Sequence, residues 1–379
     1  MVPSTTLACV KDFENTASQK ICSKAWDYYR SGADTEYTLC ANETAFLRYR
    51  FRPRVLRDVS HVDLSTTVLG TKVTLPIFLA PSAMQKMASE RGELDTARAA
   101  SKKGTIMVLS TLSTTSIEDV AHEFRNWTTA RGALWFQLYI YKDREITQRL
   151  VRRAERAGFK ALCLTVDAPY LGNRRADARN RFEMPSGLTL ANFDDLNEPE
   201  MAAGQAKQDS WLLEYTQSLF DASISWKDIA WLRSITSLKI VLKGIVTAED
   251  AELAVHHGVD GILVSNHGGR QLDGAPATVD ALPEVVAAVR SVAGSNCEVY
   301  LDGGIRTGAD VAKAIALGAR AVFIGRPVLW GLAHNGSSGV EEVLSILGKE
   351  LRSTMGLLGA TNVNELTLNM VAPVLQFKL

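Results

Sequence analysis

A histidine and an arginine lie three residues apart in the segment SNHGGRQ, which spans 265–271. A lone histidine is more often structural, but the imidazole of His267 can accept and release a proton near neutral pH. The guanidinium of Arg270 can bind a carboxylate through two hydrogen bonds. The glycines between them let a ligand approach the backbone closely. This segment therefore predicts proton transfer on an anionic substrate.

Polar residues also end several short apolar runs of the sequence, among them Gln137, Tyr139, Thr165, Asp167, Ser265 and Asp302. Lys243 lies inside the apolar run IVLKGI, where a lysine is costly to bury unless an anion or a polar ligand meets it. An edge position with the ammonium in solvent is the alternative for Lys243. Helix capping is the alternative for Asp167 and Asp302.

Glycines and arginines follow the last two apolar runs. Gly303 and Gly304 precede Arg306, and Gly325 precedes Arg326. Backbone N–H groups exposed by glycine, together with guanidinium groups, are suited to binding phosphate. Tight turns without a ligand are the alternative for the glycines. The nearby arginines favour a phosphate site.

Eight apolar, partly β-branched runs set the order of the elements that must position these residues. Each is nearly continuous in hydrophobicity, which is typical of a strand buried on both faces of a parallel sheet. The runs are LPIFLAPSA (75–83), TIMVLST (105–111), ALWFQLY (133–139), ALCLTVDAP (161–169), KIVLKGI (239–245), GILVSNHG (261–268), EVYLDGGI (298–305) and AVFIGRPV (321–328).

Amphipathic helical patterns alternate with these strands, for example over 144–157, 247–257 and 307–317. The second and third open with threonine N-caps followed by acidic residues, and Gly258 and Gly318 occupy the expected C-cap positions. Eight strand–helix units in series predict an α/β fold of the (β/α)8 TIM-barrel type. A doubly wound sheet is the main alternative, but the chain lacks a dinucleotide fingerprint.

The whole chain, 1–379, is expected to form one domain. Its parts would be an N-terminal helical segment and lead-in over 1–70, with helix over 15–47, and a barrel over 75–359. A long connection over 172–225 follows the fourth strand, and its stretch MAAGQAKQDS carries few order signals. A loop of this length is predicted to act as an active-site lid; a surface excursion without function is the alternative.

Composition excludes several classes of function. Lys plus Arg and Asp plus Glu each number 42, so the net charge is zero, which argues against nucleic-acid and polybasic membrane surfaces. The five cysteines are scattered and form no C-x-x-C pair, which favours free thiols and argues against a metal site. No apolar run is long enough to span a membrane and no signal-peptide pattern is present, so we expect a soluble intracellular protein.

The order of the motifs resembles the FMN-dependent 2-hydroxy acid oxidase family, which includes glycolate oxidase and the animal hydroxyacid oxidases. The resemblance covers nearly the whole chain from DYYRSGA onward and is carried by LAPSAMQ, FQLYIYKDR, LTVDAPYLGNR, LKGI, SNHGGRQLDG, LDGGIRTG and FIGRP. It implies oxidation of (S)-2-hydroxy acids to 2-oxo acids, with O2 as the acceptor and hydrogen peroxide as a product. It also implies a homotetramer or homo-octamer.

The resemblance assigns roles to individual residues. His267 matches the catalytic base, Asp167 the carboxylate that orients it, and Arg270 and Arg174 the substrate-carboxylate ligands. Tyr28 and Tyr139 match the hydroxyls that contact substrate. Lys243 would stabilise negative charge on the reduced flavin. The remaining FMN contacts are expected at Pro81, Ser82, Ala83, Ser110, Gln137, Thr165, Ser265, Asp302, Gly303, Gly304, Arg306, Gly325 and Arg326.

Three residues depart from the family pattern. Leu112 stands where glycolate oxidases have tryptophan, so we expect a wider pocket that accepts longer or bulkier 2-hydroxy acids. Ser82 replaces the threonine of many relatives, which is a mild change. The end of the sequence, Phe377, Lys378 and Leu379, resembles a peroxisomal address with phenylalanine in place of the usual small residue. A peroxisomal location is expected from it, and a cytoplasmic one otherwise.

Three other functions are compatible with parts of this pattern. A flavin-linked dehydrogenase would pass electrons from the 2-hydroxy acid to a quinone or a cytochrome. A barrel lyase would use Lys243 as a Schiff base on a phosphorylated substrate. A non-catalytic ligand-binding barrel would have no use for the set formed by His267, Asp167 and Arg270.

Overall fold

Eight parallel strands close into a barrel in the computed structural model, which describes residues 7–127, 130–194 and 211–374. The barrel strands, numbered here along the chain, are β1 (Ile77–Leu79), β2 (Ile106–Leu109), β3 (Ala133–Leu138), β4 (Ala161–Thr165), β5 (Lys239–Ile245), β6 (Gly261–Val264), β7 (Glu298–Asp302) and β8 (Val322–Ile324). Consecutive strands are neighbours, and β8 pairs with β1. The predicted (β/α)8 barrel is confirmed, and each predicted strand is present.

The barrel interior is filled by aromatic rings at mid-height. Successive side chains of a strand point to opposite faces, so alternate residues of every strand enter the barrel. Phe78 lies 6.3 Å from Trp135 between ring centroids, and Trp135 lies 5.7 Å from Tyr300. Phe323 packs against all three rings. This layer makes the interior a packed core rather than a pore.

A β-hairpin covers the amino-terminal end of the barrel. Its strands, Thr66–Val68 and Thr71–Val73, are joined by Leu69 and Gly70, which both have positive φ, as two-residue hairpin turns require. Val68 and Val73 are fully buried against the aromatic layer. The covered end leaves the carboxyl-terminal ends of the strands as the open face.

Helices precede the barrel, connect its strands and follow the last of them. The helices are α1 (Val10–Lys20), α2 (Ser23–Arg30), α3 (Tyr37–Thr44), α4 (Glu93–Lys103), α5 (Ile117–Asn126), α6 (Arg144–Arg156), α7 (Arg175–Asn180), α8 (Trp211–Leu219), α9 (Trp226–Ile235), α10 (Ala248–His256), α11 (Thr278–Ser291), α12 (Gly308–Ala316) and α13 (Arg326–Leu358). Thr247 and Thr307 cap α10 and α12 as predicted. Gly258 and Gly318 lie one residue beyond the C-caps, where their positive φ ends each helix.

The N-terminal segment is helical, as predicted over 15–47, and the structure divides it into separate helices. It begins at Val10 and contains α1, α2, α3 and a short 3-10 helix, Ala45–Arg48. The strand Tyr49–Phe51 then pairs antiparallel with Val371–Pro373, so the segment that leads into the barrel meets the C-terminal end of the described chain. Helix α1 packs against α13, which places α2 and α3 over the open face of the barrel.

The connection after β4 is not the unbroken loop predicted over 172–225. It contains α7, a 3-10 turn at Ala191–Phe193 and α8 before α9 begins at Trp226. Phe182 and Phe193 are buried and anchor the segment to the molecule. The stretch 201–210, MAAGQAKQDS, lies outside the described residues, as does the tail 377–379. None of the helices in the described ranges has the length and apolar character needed to cross a membrane.

Candidate active site

A cavity opens at the carboxyl-terminal ends of the barrel strands, the expected place for chemistry in this fold. It contains about 1190 Å³ of space free of protein atoms. The predicted residues that line it are Tyr28, Pro81, Ser82, Ala83, Ser110, Leu112, Gln137, Tyr139, Thr165, Arg174, Lys243, His267, Arg270, Asp302, Gly303, Gly304, Arg306, Gly325 and Arg326. Asp167 and Ser265 lie behind this lining and contact His267.

The alternation of side chains along the strands explains why so many polar residues converge. Gln137 follows Trp135 by two positions, and Asp302 follows Tyr300 by two. The same spacing relates Thr165 to Cys163, Lys243 to Val241 and Ser265 to Leu263, all in register with the interior core. The residues above the aromatic layer are therefore the polar continuation of its inward-facing rows.

His267 is held by contacts on both its side chain and its backbone. The imidazole Nδ1 lies 3.0 Å from Oδ1 of Asp167, and the backbone N–H donates to Oγ of Ser265 at 3.1 Å. The residue has φ 59°, an uncommon conformation for a side chain other than glycine. Such a fixed, left-handed turn directs the ring toward the cavity, and strained backbone of this kind is typical of functional sites.

Burial and charge keep His267 neutral. Burial and the nearby Lys243 ammonium lower the pKa of His267 to about 4, although Asp167 acts in the opposite direction. Burial alone would raise the pKa of Asp167, but Lys243 and His267 outweigh it and hold that pKa below the ordinary value. The pair is thus a neutral imidazole backed by an ionised carboxylate, the state in which a histidine can accept a proton.

Lys243 and Asp302 form a buried ion pair beneath the cavity. Nζ of Lys243 lies 3.9 Å from Oδ2 of Asp302, and both side chains are nearly inaccessible. Burial would lower the pKa of Lys243, but Asp167 and Asp302 raise it above its ordinary value. Burial raises the pKa of Asp302. Nζ of Lys243 and Oδ1 of Asp302 find no hydrogen-bond partner among the described residues, which leaves both available to a ligand.

Two arginines face the cavity from different segments. Nη1 of Arg270 donates to the carbonyl oxygens of Tyr28 and Ser31, and its guanidinium lies 4.8 Å above the Tyr28 ring. Arg174, at the start of α7, is buried, and its Nε has no partner within the described part of the chain. Burial and the charge of Arg174 lower the pKa of Arg270 to about 10, so the Arg270 guanidinium stays cationic at neutral pH.

Two tyrosines complete this side of the cavity, and each is fixed by a stacked phenylalanine. The Tyr28 and Phe182 rings are 4.4 Å apart, and the Tyr139 and Phe220 rings are 4.3 Å apart. Burial raises the pKa of Tyr139 above its ordinary value, so its hydroxyl remains protonated. Tyr139 therefore offers a neutral hydroxyl group, and both tyrosines line the cavity with the arginines.

A second part of the cavity is basic and is bounded largely by backbone groups. Arg326 donates from Nε, Nη1 and Nη2 to the carbonyl oxygens of Tyr29, Gly268 and Ser31, each at 3.0 Å. Arg306 is paired with Glu43 at 2.7 Å. Two guanidinium groups held by protein contacts therefore line this part of the cavity.

The glycines in this part of the cavity are required for different reasons. Gly303 and Gly304 have φ of 93° and 80°, and a Cβ on Gly304 would lie 1.9 Å from the Asn42 carbonyl oxygen. Both glycines are therefore required by the turn and by the approach of Asn42, and both also line the cavity. At Gly325, just before α13, a Cβ would meet protein atoms only at 3.8 Å and would enter the cavity instead. The helix N-terminus is open there, as in anion sites.

Sequence reasoning missed an apolar wall of the cavity. Leu171, Leu212 and Phe220 belong to the long connection after β4 and join Leu112 around one side of the space. The cavity-lining positions 212, 216 and 220 in and after α8 recur with helical spacing, a signal that could have identified an inward face. Gln271 was also missed, although it lies within the SNHGGRQ segment.

Both the sequence and the fold are similar to those of known proteins. Residues 17–373 match the family described as FMN-dependent dehydrogenase. The chain is 54% identical to glycolate oxidase 1 of Oryza sativa subsp. indica over 94% of both chains, and 51% identical to human 2-hydroxyacid oxidase 1 over 96% of both. The solved structure of mandelate oxidase with (S)-4-hydroxymandelic acid superimposes with a TM-score of 0.89 at 41% identity, covering 97% of this chain and 98% of that one. The chain therefore belongs to the FMN-dependent dehydrogenase family.

Proposed function

We propose that this protein oxidises (S)-2-hydroxy acids to 2-oxo acids with FMN, and that O2 is then reduced to hydrogen peroxide. The observation that carries this proposal is the neutral imidazole of His267, backed by Asp167, in one cavity with Arg270 and Arg174. Similarity to glycolate oxidase and 2-hydroxyacid oxidase supports the oxidase reaction. An oxidised 2-hydroxy acid loses two electrons and two protons, and O2 takes up both pairs.

The cavity fits FMN by its donors and acceptors. The open start of α13 at Gly325, with Arg306 and Arg326, suits a phosphate group. The unpartnered atoms of Lys243 and Asp302 suit the polar edge of a flavin ring and ribityl hydroxyls. The other contacts in this proposal are Pro81, Ser82, Ala83, Ser110, Gln137, Thr165, Gly303 and Gly304, with Ser265 acting behind them. Bound FMN supplies the acceptor of the electron pair.

The substrate carboxylate is bound by the paired arginines in this proposal. Two guanidinium groups can hold a planar carboxylate in one orientation and compensate its charge in a buried site. The hydroxyl groups of Tyr28 and Tyr139 lie on the same side and can donate to the bound acid. The carboxylate thus determines which hydrogen of the substrate faces the acceptor.

His267 takes up the proton released as the 2-hydroxy acid is oxidised. It is neutral before reaction because its pKa is about 4, and it becomes imidazolium after accepting the proton. The ionised Asp167 stabilises that imidazolium and fixes Nδ1 as its proton-bearing atom, leaving Nε2 as the acceptor. Lys243 stabilises negative charge that develops on the reduced cofactor.

The absorption spectrum of the purified protein tests cofactor and reaction together. We expect flavin bands that bleach on anaerobic addition of an (S)-2-hydroxy acid, return in air, and yield one hydrogen peroxide per 2-oxo acid. Bleaching with little peroxide in air would indicate a dehydrogenase that uses a quinone or a cytochrome. A colourless protein trapped by borohydride at Lys243 would indicate the lyase, and either result would contradict the proposal.

Leu112 and the apolar wall support a preference for longer side chains. Leu112 is buried and lines the cavity, and Leu171, Leu212 and Phe220 add further apolar surface to its lining. Each buried methylene of a substrate chain contributes about 0.8 kcal/mol, so an eight-carbon acid should bind better than glycolate. We expect kcat/KM to be higher for 2-hydroxyoctanoate, and Leu112→Trp to reverse the order. A strong glycolate preference in the unmodified protein would contradict this.

We also propose that residues 1–379 form a single domain, that it assembles into a tetramer or an octamer, and that it is located in peroxisomes. The family resemblance supports such an assembly, and the C-terminal Phe377, Lys378 and Leu379 resemble a peroxisomal address. Sedimentation equilibrium of the FMN-loaded protein tests the assembly. Fluorescent fusions with and without the last three residues test the location, since loss of peroxisomal signal is expected only without them.

A further inference from the structure

The side-chain amide of Gln271 joins two loops at the substrate end of the cavity. Nε2 donates to the carbonyl oxygens of Asp167 and Tyr170, both at 2.8 Å, and Oε1 accepts from the N–H of Gly172 at 3.1 Å. The side chain is 8% exposed. Because two carbonyls face one end of the amide and an N–H faces the other, a single orientation satisfies all three groups.

The three partners lie in the connection that leads from β4 to α7. This stretch, 166–174, has neither helical nor strand structure and carries Arg174 at its end. Gly172 is in close contact with the backbone after β6, since a Cβ there would lie 2.3 Å from the carbonyl oxygen of Arg270. The irregular stretch is thus held against the Arg270 loop by backbone packing and by one buried amide.

Gln271 is adjacent to Arg270 and is bound to the backbone two residues before Arg174. It also contacts the backbone of Asp167, whose carboxylate orients His267. Like charges in a buried site repel each other, so the two guanidinium groups need a connection that opposes their separation. A bidentate grip on a carboxylate tolerates little displacement, and misplacement by about 1 Å can cost a hundredfold in rate.

We propose that Gln271 is a positioning residue that fixes the spacing of Arg174 and Arg270 and the placement of Asp167. This inference rests on the proposed function, because it assigns the two arginines to the substrate carboxylate. Gln271 lies at the cavity edge, and its three bonds are all to protein backbone. Its effect on the reaction is therefore through the placement of other residues.

Replacement by leucine tests this role in the FMN-loaded protein. Gln271→Leu removes all three hydrogen bonds at nearly unchanged volume. We expect KM for the 2-hydroxy acid and the Kd of oxalate to rise at least tenfold, with a smaller decrease in kcat. Oxalate is a non-oxidisable dicarboxylate, and its binding is read from the flavin absorbance. Gln271→Asn keeps the amide on a shorter side chain, so an intermediate increase of about threefold is expected.

Asn362→Leu is the matched control. Its amide donates to the side chains of Thr361 and Glu365 and accepts from the backbone N–H of Asn364. None of these residues lines the cavity. We expect reduced thermal stability in this variant with KM and the oxalate Kd unchanged. An equal KM increase in Asn362→Leu would show general loosening of the fold and overturn the role of Gln271.

Two further outcomes separate this inference from the proposed function. Oxalate affinity within twofold of the parent in both Gln271 variants would overturn the positioning role, whatever the turnover rate. If Gln271→Leu does not fold, the oxalate affinity of Gln271→Asn alone tests the positioning role against the same twofold limit. A parent protein whose flavin no 2-hydroxy acid reduces would overturn the proposed function, whereas its affinity for oxalate would still test the two arginines.

Discussion

The contact between Asp167 and His267 determines which nitrogen of the imidazole carries the proton. Asp167→Asn keeps the size of the side chain but offers an N–H toward Nδ1 or a weaker acceptor, so it removes the stabilisation of imidazolium. We expect kcat to fall by roughly a hundredfold or more with little change in FMN content. Stopped-flow measurement of flavin bleaching isolates this step. A decrease below threefold would show that the carboxylate does not orient the base.

The pH dependence of turnover reports the low pKa of His267. Because protonated His267 cannot accept a proton and its pKa is about 4, activity should persist from pH 7 to about pH 5 and fall below that. An unperturbed histidine would lose activity near its ordinary pKa of about 6.5. Since Asp167 raises the pKa of His267, Asp167→Asn should move the inflection to still lower pH. An inflection near pH 6.5 in the parent protein would show that the surroundings of His267 do not lower its pKa.

Lys243 compensates the buried charge of Asp302, and a double-mutant cycle measures that contribution. Lys243→Met leaves Asp302 and Asp167 without their ammonium neighbour, so we expect a loss of about 3–5 kcal/mol in the free energy of unfolding. Asp302→Asn in the Lys243→Met background should restore part of that loss. Urea unfolding of FMN-free protein gives these values without a contribution from cofactor binding. Additive effects of the two substitutions would contradict the pairing.

Strands and helices differ in how well the sequence predicts them. Every barrel strand is predicted because strands buried on both faces read as continuous apolar runs, and the polar residues that end them follow from the alternation of side chains. Thr247 and Thr307 are predicted as N-caps from local chemistry alone. Features that depend on residues close together in the sequence can therefore be predicted from it.

Features that depend on contacts between residues far apart in the sequence could not be predicted from it. Helix α7 has a polar local pattern that does not predict its place in the fold, and the stretch after α8 is anchored by a tertiary contact, the stacking of Phe220 on Tyr139. The three backbone partners of Gln271 are about 100 residues away in sequence. The role of Gly303 and Gly304 depends on the approach of α3, which no local signal encodes.

The close packing of α3 on the β7 loop makes Gly304 sensitive to substitution. Gly304→Ala would place a methyl group 1.9 Å from the Asn42 carbonyl oxygen at φ 80°, so we expect destabilisation of about 2 kcal/mol or more together with weaker FMN retention. Gly356→Ala in α13 is the control, since a Cβ there would meet no atom within 4 Å outside its own helix. It should leave stability unchanged or raise it by about 1 kcal/mol. Thermal unfolding distinguishes the two variants, and equal behaviour would contradict the packing.

At the scale of the whole molecule, the segment that precedes the barrel contributes structure to both of its ends. The hairpin over 66–73 covers the amino-terminal end, and α2 and α3 lie at the rim of the catalytic end. The carbonyl oxygen of Ser31 accepts from both Arg270 and Arg326, so the same backbone connects the proposed carboxylate and phosphate sites. The N-terminal segment is therefore part of the site, and its attachment to the barrel should control cofactor retention.

Asp273 is one of several residues after β6 that bind this segment, together with Asn266 and the backbone of Gly269 and Ala275. Its carboxylate accepts from the backbone N–H groups of Thr35, just before α3, and of Thr38, in the first turn of α3, at 3.0 and 2.9 Å. Despite some desolvation, hydrogen bonds from Thr35 and Thr38 lower the pKa of Asp273 to about 2. A carboxylate with a lowered pKa stabilises the fold above its unfolded pKa, so this contribution is present above about pH 4 and lost as pH falls toward 2.

Asp273→Ala should therefore loosen the N-terminal segment at neutral pH while its other contacts and the barrel remain in place. The loss of a capping carboxylate costs about 1 kcal/mol, which corresponds to roughly fivefold faster amide hydrogen exchange over 31–44. FMN should dissociate faster for the same reason, since Ser31 also orients Arg326. Asp63→Ala is the matched control, because that surface carboxylate also binds a backbone N–H, of Ser65, but lies away from the cavity. Exchange over 31–44 that is unchanged in Asp273→Ala, or equally accelerated in Asp63→Ala, would show that the segment is attached by other contacts.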